Sequence, residues 1–265
     1  VRFRLSILIL WVVVGFVALS LTGWRVALAQ TAPEIATARA QIEAGNYPSA
    51  ILRLEAYIKQ RPQDPEARFL LARAYYLQGG ITNLERAEES IRAAIRITGS
   101  RPEFEWLYGL ILVGQGKASA GLARLKVAAS ADPKGPNARD VYRYAMDWGL
   151  VSWREGDVRQ ALEAFHRAAR AAPDQPWPLI HQGAILLSVR EPDQALIALN
   201  RAVVTLERSN LGAKHPASAS AYYWRGRVYE ALGKFTEARS DYLTSLDRDP
   251  NFVPSREALT NVSAR

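Results

Sequence analysis

The sequence predicts an all-α chain built as a solenoid of stacked two-helix units, and three observations carry that prediction. The first is one frame of residues that recurs along the chain. Gly233-Lys234-Phe235 is followed by Ala238, Tyr242, Ser245 and Pro250. Gly156-Asp157-Val158 is followed at the same spacings by Ala161, Phe165, Ala168 and Pro173. Gly45-Asn46-Tyr47 leads in the same way to Ala50, Leu54 and Pro62, and Gly109, Gly116, Leu125, Ala128 and Pro133 fall into the same frame. Self-similarity at a fixed period of about 20–50 residues is the signature of a repeat array. The second observation is periodicity. Leu71, Ala72, Tyr75 and Tyr76, and again Ala161, Phe165, Ala168 and Ala169, recur at the spacing of one helix face. The third is punctuation. A Gly followed by Lys, Asp or Asn separates two helical windows, because Gly accepts the left-handed backbone that ends a helix. Pro then closes the second window, because it cannot continue a helix. Alternating strand patterns and Asn-Gly hairpin signals are missing.

These motifs resemble the tetratricopeptide repeat family. Its units carry a small residue at position 8, another at 20, an apolar or aromatic residue at 24, Ala at 27 and Pro at 32. The resemblance implies a right-handed superhelical solenoid of about six helix-turn-helix repeats over residues 30–265, starting near residues 31, 65, 102, 142, 176 and 219. Small residues at 8 and 20 allow the two helices of a unit to approach closely. Repeat two is irregular, with Gly79-Gly80 followed by three extra residues before Ala87. Repeat five has Arg190-Glu191-Pro192 where the turn glycine would stand.

Residues 1–29 stand outside this array and read as a signal peptide or a membrane anchor. Arg2 and Arg4 precede an uncharged apolar run from Leu5 to Thr22. Ala27-Leu28-Ala29 then offers a small-x-small cleavage site, with Gln30 as the first mature residue. The run is longer than an ordinary signal core, so cleavage and retention through residues 1–22 both stay open. Either way residues 30–265 are expected on the extracytoplasmic side, in the periplasm or held to the inner membrane. The signal suits a bacterial envelope protein, and the absence of Cys excludes a lipoprotein route.

Two insertions and one terminal segment complete the reading. Residues 136–141 extend either the linker or the first helix of repeat four. Glu207–Ser218 holds Leu211-Gly212-Ala213-Lys214-His215-Pro216, which looks like the linker of kinesin-light-chain-type repeats. His215 is expected to order a turn before the next helix. Residues 251–265 can form one last helix that covers the open end of the array.

Composition argues against chemistry. Zero Cys removes thiol nucleophiles, disulfides and thiolate metal sites, and three His leave little for a metal centre. Gly114-Gln115-Gly116-Lys117 lacks phosphate-loop spacing and reads as an interhelix turn. His166 and His181 stand 15 residues apart with no His-Glu-x2-His motif, and adjacent acids such as Glu88/Glu89 do not converge on one helix face. No catalytic residue, metal or cofactor is expected. Removing Arg2, Arg4 and Arg25 from the formal +8 leaves +5, with acids interspersed. A basic nucleic-acid-binding solenoid is therefore the weaker alternative, as is a repeat-bearing enzyme, for which no residues remain.

The resemblance also implies a binding face. Positions 2, 5, 9, 12 and 13 of each first helix line the concave side. The candidate contacts are Arg39, Phe69, Arg73, Tyr76, Trp106, Met146, Trp153, Trp177, Tyr223 and Arg227. Aromatic anchors with Arg at intervals are the composition of protein-recognition hot spots. Position 5 is Ile35, Phe69, Trp106, Met146, Ile180 and Tyr223, so the Lys-based clamp that some family members use on chaperone C-termini is missing. The expected function is a noncatalytic scaffold of the bacterial envelope that binds protein or peptide partners. An export, polymer-secretion or wall-assembly complex is its expected setting, and an accessory subunit of an envelope enzyme or secretion complex is the alternative.

Overall fold

Proline and short polar side chains set the helix starts throughout the computed structural model, which describes residues 33–208 and 215–263. Pro33, Pro65, Pro102, Pro192 and Pro216 each open a helix, where a missing N–H is harmless. Asp64 accepts from the backbone N–H groups of Glu66 (2.9 Å) and Ala67 (3.1 Å), and Asp157 accepts from that of Gln160 (2.9 Å). The described residues form thirteen helices and no strand. The segment 1–29 and the linker residues Leu211–Lys214 lie outside them, and no described helix is long and apolar enough to cross a membrane.

The chain divides into two units, with the boundary between Ile97 and Thr98. The first unit holds α1 (Pro33–Glu43), α2 (Tyr47–Gln60), α3 (Pro65–Gln78) and α4 (Ile81–Thr98). Its core is Ala38, Ala50, Leu54, Leu70, Ala72, Ala74, Ile91 and Ala94, all fully buried. The small-residue frame governs this packing, since Ala38 and Ala50 occupy positions 8 and 20 of the first repeat. The Asp64 carboxylate that caps α3 also accepts from the Tyr57 hydroxyl of α2 (2.9 Å), joining the two elements.

The second unit holds α5 (Pro102–Gly114), α6 (Ala118–Ala129), α7 (Ala138–Arg154), α8 (Val158–Ala171), α9 (Trp177–Ser188), α10 (Pro192–Arg208), α11 (Pro216–Ala231), α12 (Phe235–Arg248) and α13 (Val253–Ser263). Helices pack in sequence order, α5 with α6, α7 with α8, α9 with α10 and α11 with α12. Position 8 is Gly in all four repeats here, and close approach requires it. A Cβ on Gly183 would lie 2.4 Å from Leu199 Cγ, and one on Gly226 would lie 2.6 Å from the Tyr242 ring. The six-residue insertion before repeat four is resolved mostly as helix, since α7 starts at Ala138. Arg167 of α8 donates to the carbonyls of Ala129, Ser130 (2.7 Å) and Ala131 (2.9 Å), capping the end of α6.

Three details follow from the sequence irregularities. Gly116, Gly156 and Gly233 close the first helices at φ of 78°, 82° and 74°, and Arg190 takes the same conformation at φ 64°. An L-residue held there is strained by about 1–2 kcal/mol. The His215 imidazole accepts from the backbone N–H of Ala217 (3.1 Å) and so caps α11. Helix α13 buries Ser255, Ala258 and Val262, with the Ser255 hydroxyl donating to that of Ser245 on α12 (2.7 Å).

Candidate functional site

The site in the second unit is a groove of about 800 Å³ bounded by α7, α9 and α11. Each is the first helix of its repeat, so the groove is what three successive copies of one helix face create. Leu150 and Trp153 enter from α7, and Trp177, Ile180, His181, Ala184, Leu187 and Ser188 from α9. Helix α11 contributes Ser220, Trp224, Arg227, Glu230 and Ala231. The surface is mostly apolar, and three of the chain's seven Trp residues lie in it. Leu150 and Trp153 remain 42% and 40% exposed.

The aromatic floor is held from below. His181 stacks on the buried Phe165 ring of α8, with centroids 4.9 Å apart at 14°, and Trp177 lies 6.2 Å from the imidazole. Burial holds the His181 imidazole below its ordinary pKa, so it is neutral at physiological pH. At the opposite wall Arg227 pairs with Glu230 at 3.6 Å and donates to the Tyr223 hydroxyl at 3.0 Å. Glu230 also accepts from the Tyr242 hydroxyl at 2.9 Å; burial, helped by this bond, drives that phenol far above its usual pKa.

The expected contact residues separate into groups. Trp153, Trp177 and Arg227 line the groove. Tyr223 turns instead toward the terminal helices, against Tyr242 (6.1 Å) and Phe252 (5.6 Å). Trp106 is half-buried. Its indole donates to Asp147 (2.7 Å), and the Arg143 guanidinium covers its ring at 4.5 Å. Burial raises the Asp147 carboxyl, against the lowering effects of the Trp106 indole and Arg143. Met146 packs against core residues around Tyr144 and Phe165. In the first unit, Arg39 is exposed and bound to Glu66 at 2.6 Å, and Arg73 and Tyr76 are half-buried.

Phe69 corrects the register reading, since it is buried at 9% exposure. Ile35 and Ile180, also at position 5, are 2% exposed, so this position serves the core more than the surface. Position 9 is the open line, with Arg39, Leu150 and Arg227 exposed. Trp224 and His181 are absent from the contacts that the register gives. Both stand at position 6, which a helix of 3.6 residues per turn brings to the same face as 2, 9 and 13. Among the described residues no cluster of His, Asp and Glu is arranged to hold a metal ion.

A tetratricopeptide repeat model matches residues 35–102 and 146–210, and a second tetratricopeptide repeat model matches residues 219–252. The chain belongs to the tetratricopeptide repeat family. Such repeat arrays are protein-interaction scaffolds, generally without catalysis of their own. Solved structures share the fold. The structure of PilF from Pseudomonas aeruginosa superposes with a TM-score of 0.62 at 19% identity, over 86% of this chain and 96% of that one. PilW, described as a widely conserved type IV pilus biogenesis factor, gives 0.60 at 21%, over 87% and 96%. YrrB, described as having an unusual peptide-binding site, gives 0.57 at 16%, over 77% and 96%. No curated protein matches the sequence at a significant level.

Proposed function

We propose that this tetratricopeptide protein is a noncatalytic scaffold of the bacterial cell envelope that binds a partner protein or peptide in the groove of its second unit. The observation that carries the reading is the groove itself, about 800 Å³ with Trp153, Trp177 and Trp224 in its walls. That volume lies within the range of ordinary ligand sites, about 300–1,000 Å³. Indoles bring large apolar area with little conformational freedom to lose, which is why Trp dominates binding hot spots. The envelope part of the reading is supported by the basic flank, the apolar run and the Ala27-Leu28-Ala29 site at the N-terminus. The fold likeness to PilF and PilW is compatible with a role in envelope assembly.

Photo-crosslinking in intact cells tests this. Benzoylphenylalanine placed at Leu150 in the groove is expected to give discrete adducts, and the same group at the exposed Ile197 of α10 is not. Identical adducts at both positions would rule out the groove. N-terminal sequencing of the protein from the envelope fraction checks the address. Gln30 at the N-terminus means cleavage, whereas a membrane-fraction protein that keeps the Leu5–Thr22 run means an anchor. Recovery from the cytosol overturns the envelope reading.

A further inference from the structure

The groove contains an imidazole that its apolar character leaves unexplained. His181 sits in its floor, and among the described residues its ring nitrogens have neither a hydrogen bond nor an ion pair. The charges around it are few. From α7 the groove receives Leu150 and Trp153, and Phe165 of α8 packs under the imidazole; none of the three titrates. Among the lining residues of α9, His181 is the sole titratable group. Helix α11 brings Arg227 and Glu230, which face each other at 3.6 Å and are tied further by the Tyr223 and Tyr242 hydroxyls. The groove therefore offers a partner no net charge, and it offers an imidazolium no carboxylate free of other contacts.

Electrical neutrality selects the occupant. A charged segment entering this groove would shed water without finding an opposite charge, which is unfavourable. A neutral segment loses nothing of the kind and covers apolar surface. A neutral imidazole adds one N–H donor and one nitrogen acceptor, a match for a peptide amide. Its protonated form has two donors, no acceptor and a charge that the occupied groove would bury.

We infer that the groove takes a neutral, apolar stretch of a partner protein, seats a bulky hydrophobic side chain against Trp153, Trp177 and Trp224, and releases it in acid through protonation of His181. The inference rests on the proposed binding role of the groove. Partner docking and protonation of His181 then exclude each other, so affinity falls by up to roughly tenfold per pH unit once the free imidazole titrates. Arg227 and Glu230 pair with each other rather than with His181.

The test is selection of a phage-displayed random peptide library on the full chain at neutral pH. Selected sequences are then synthesised with both ends capped and titrated by calorimetry between about pH 7.5 and about pH 5. The expected peptides are uncharged and rich in large apolar residues, lose at least tenfold in affinity on Trp153→Ala, and weaken in acid. In His181→Gln, which keeps a donor and an acceptor but cannot ionise, the acid loss is expected to shrink to less than about twofold. Circular dichroism at each pH confirms that the variants stay folded. Selected peptides with an acidic or basic consensus would overturn the neutral partner. Binding that depends on Trp153 but has the same pH profile in wild type and His181→Gln would overturn the acid release alone. Peptides indifferent to Trp153→Ala, or none selected, would overturn the binding role of the groove and this inference with it.

Discussion

The two units use the same repeat frame with different chemistry at the same positions. Position 8 is Ala38 and Ala72 in the first unit, and Gly109, Gly149, Gly183 and Gly226 in the second. Position 9 is Arg39 and Arg73 in the first, whereas the second has Leu110, Leu150 and Ala184 there before Arg227 returns in its last repeat. The difference shows that one helical scaffold can leave its inner face charged and solvated or apolar and aromatic. Glycine at position 8 allows large position-24 side chains such as Phe165 and Tyr242 to be buried under that face. Alanine at position 8 is matched by Leu54 and Ile91.

Ion pairs give the widest contrast. Arg225 and Asp241 in the second unit are joined by two hydrogen bonds of 2.7 and 2.8 Å, with side chains only 18% and 7% exposed. Arg225→Ala is expected to lower stability by about 3 kcal/mol, because it strands a buried carboxylate. Arg39→Ala breaks a solvent-exposed pair in the first unit and is expected to change stability by less than about 1 kcal/mol. Urea denaturation of both variants checks this, and equal losses would break the comparison. On binding, Trp153→Ala with Trp177→Ala is expected to weaken partner capture by about thirtyfold or more, as loss of hot-spot residues does. Arg73→Ala with Tyr76→Ala is expected to leave capture within about twofold. Quantified crosslinking yields read both.

The packing difference predicts smaller effects. Gly183→Ala puts a methyl group against Leu199 and is expected to destabilise by about 1–3 kcal/mol. Ala72→Gly in the first unit opens no clash and is expected to cost about 1 kcal/mol, from helix propensity. Arg190→Gly relieves the left-handed backbone at φ 64° and is expected to raise the midpoint of thermal unfolding, with a gain of about 1 kcal/mol. The smallest effect is a pH dependence confined to the second unit, which contains all three His residues. The folded His181 has a pKa below its unfolded value, so below about pH 6.5 the unfolded chain binds a proton that the folded unit resists. Stability therefore falls as pH drops through that value and levels off below the folded pKa. His181→Gln removes this component, and hydrogen exchange across the titration separates the two units.

Much of the candidate site was legible before any coordinates. Trp153, Trp177 and Arg227 stand in the groove because the repeat register is a counting rule, and each further turn returns the same face. Phe69, expected as a contact, is buried because position 5 lies at the edge of that face, and the sequence does not tell on which side of the edge a ring will turn. The roles of His181 and Trp224 were missed for the converse reason, since position 6 is a buried Leu70 or Leu107 in earlier repeats and changes use only later. Tyr223 obeyed the register but found Phe252 and Tyr242, aromatic neighbours that the count could not weigh.

The sequence alone determined the helices, their pairing and the family, because helix period, turn glycines and closing prolines act over a few residues and repeat. It also determined that the frame needs small residues at position 8. Tertiary structure decided what lies between the repeats. It placed three indoles and one unpaired imidazole around a single space and closed the end of the second unit with α13. These depend on side chains far apart in sequence meeting through the stacking of successive helices, and no local pattern encodes the distance between them.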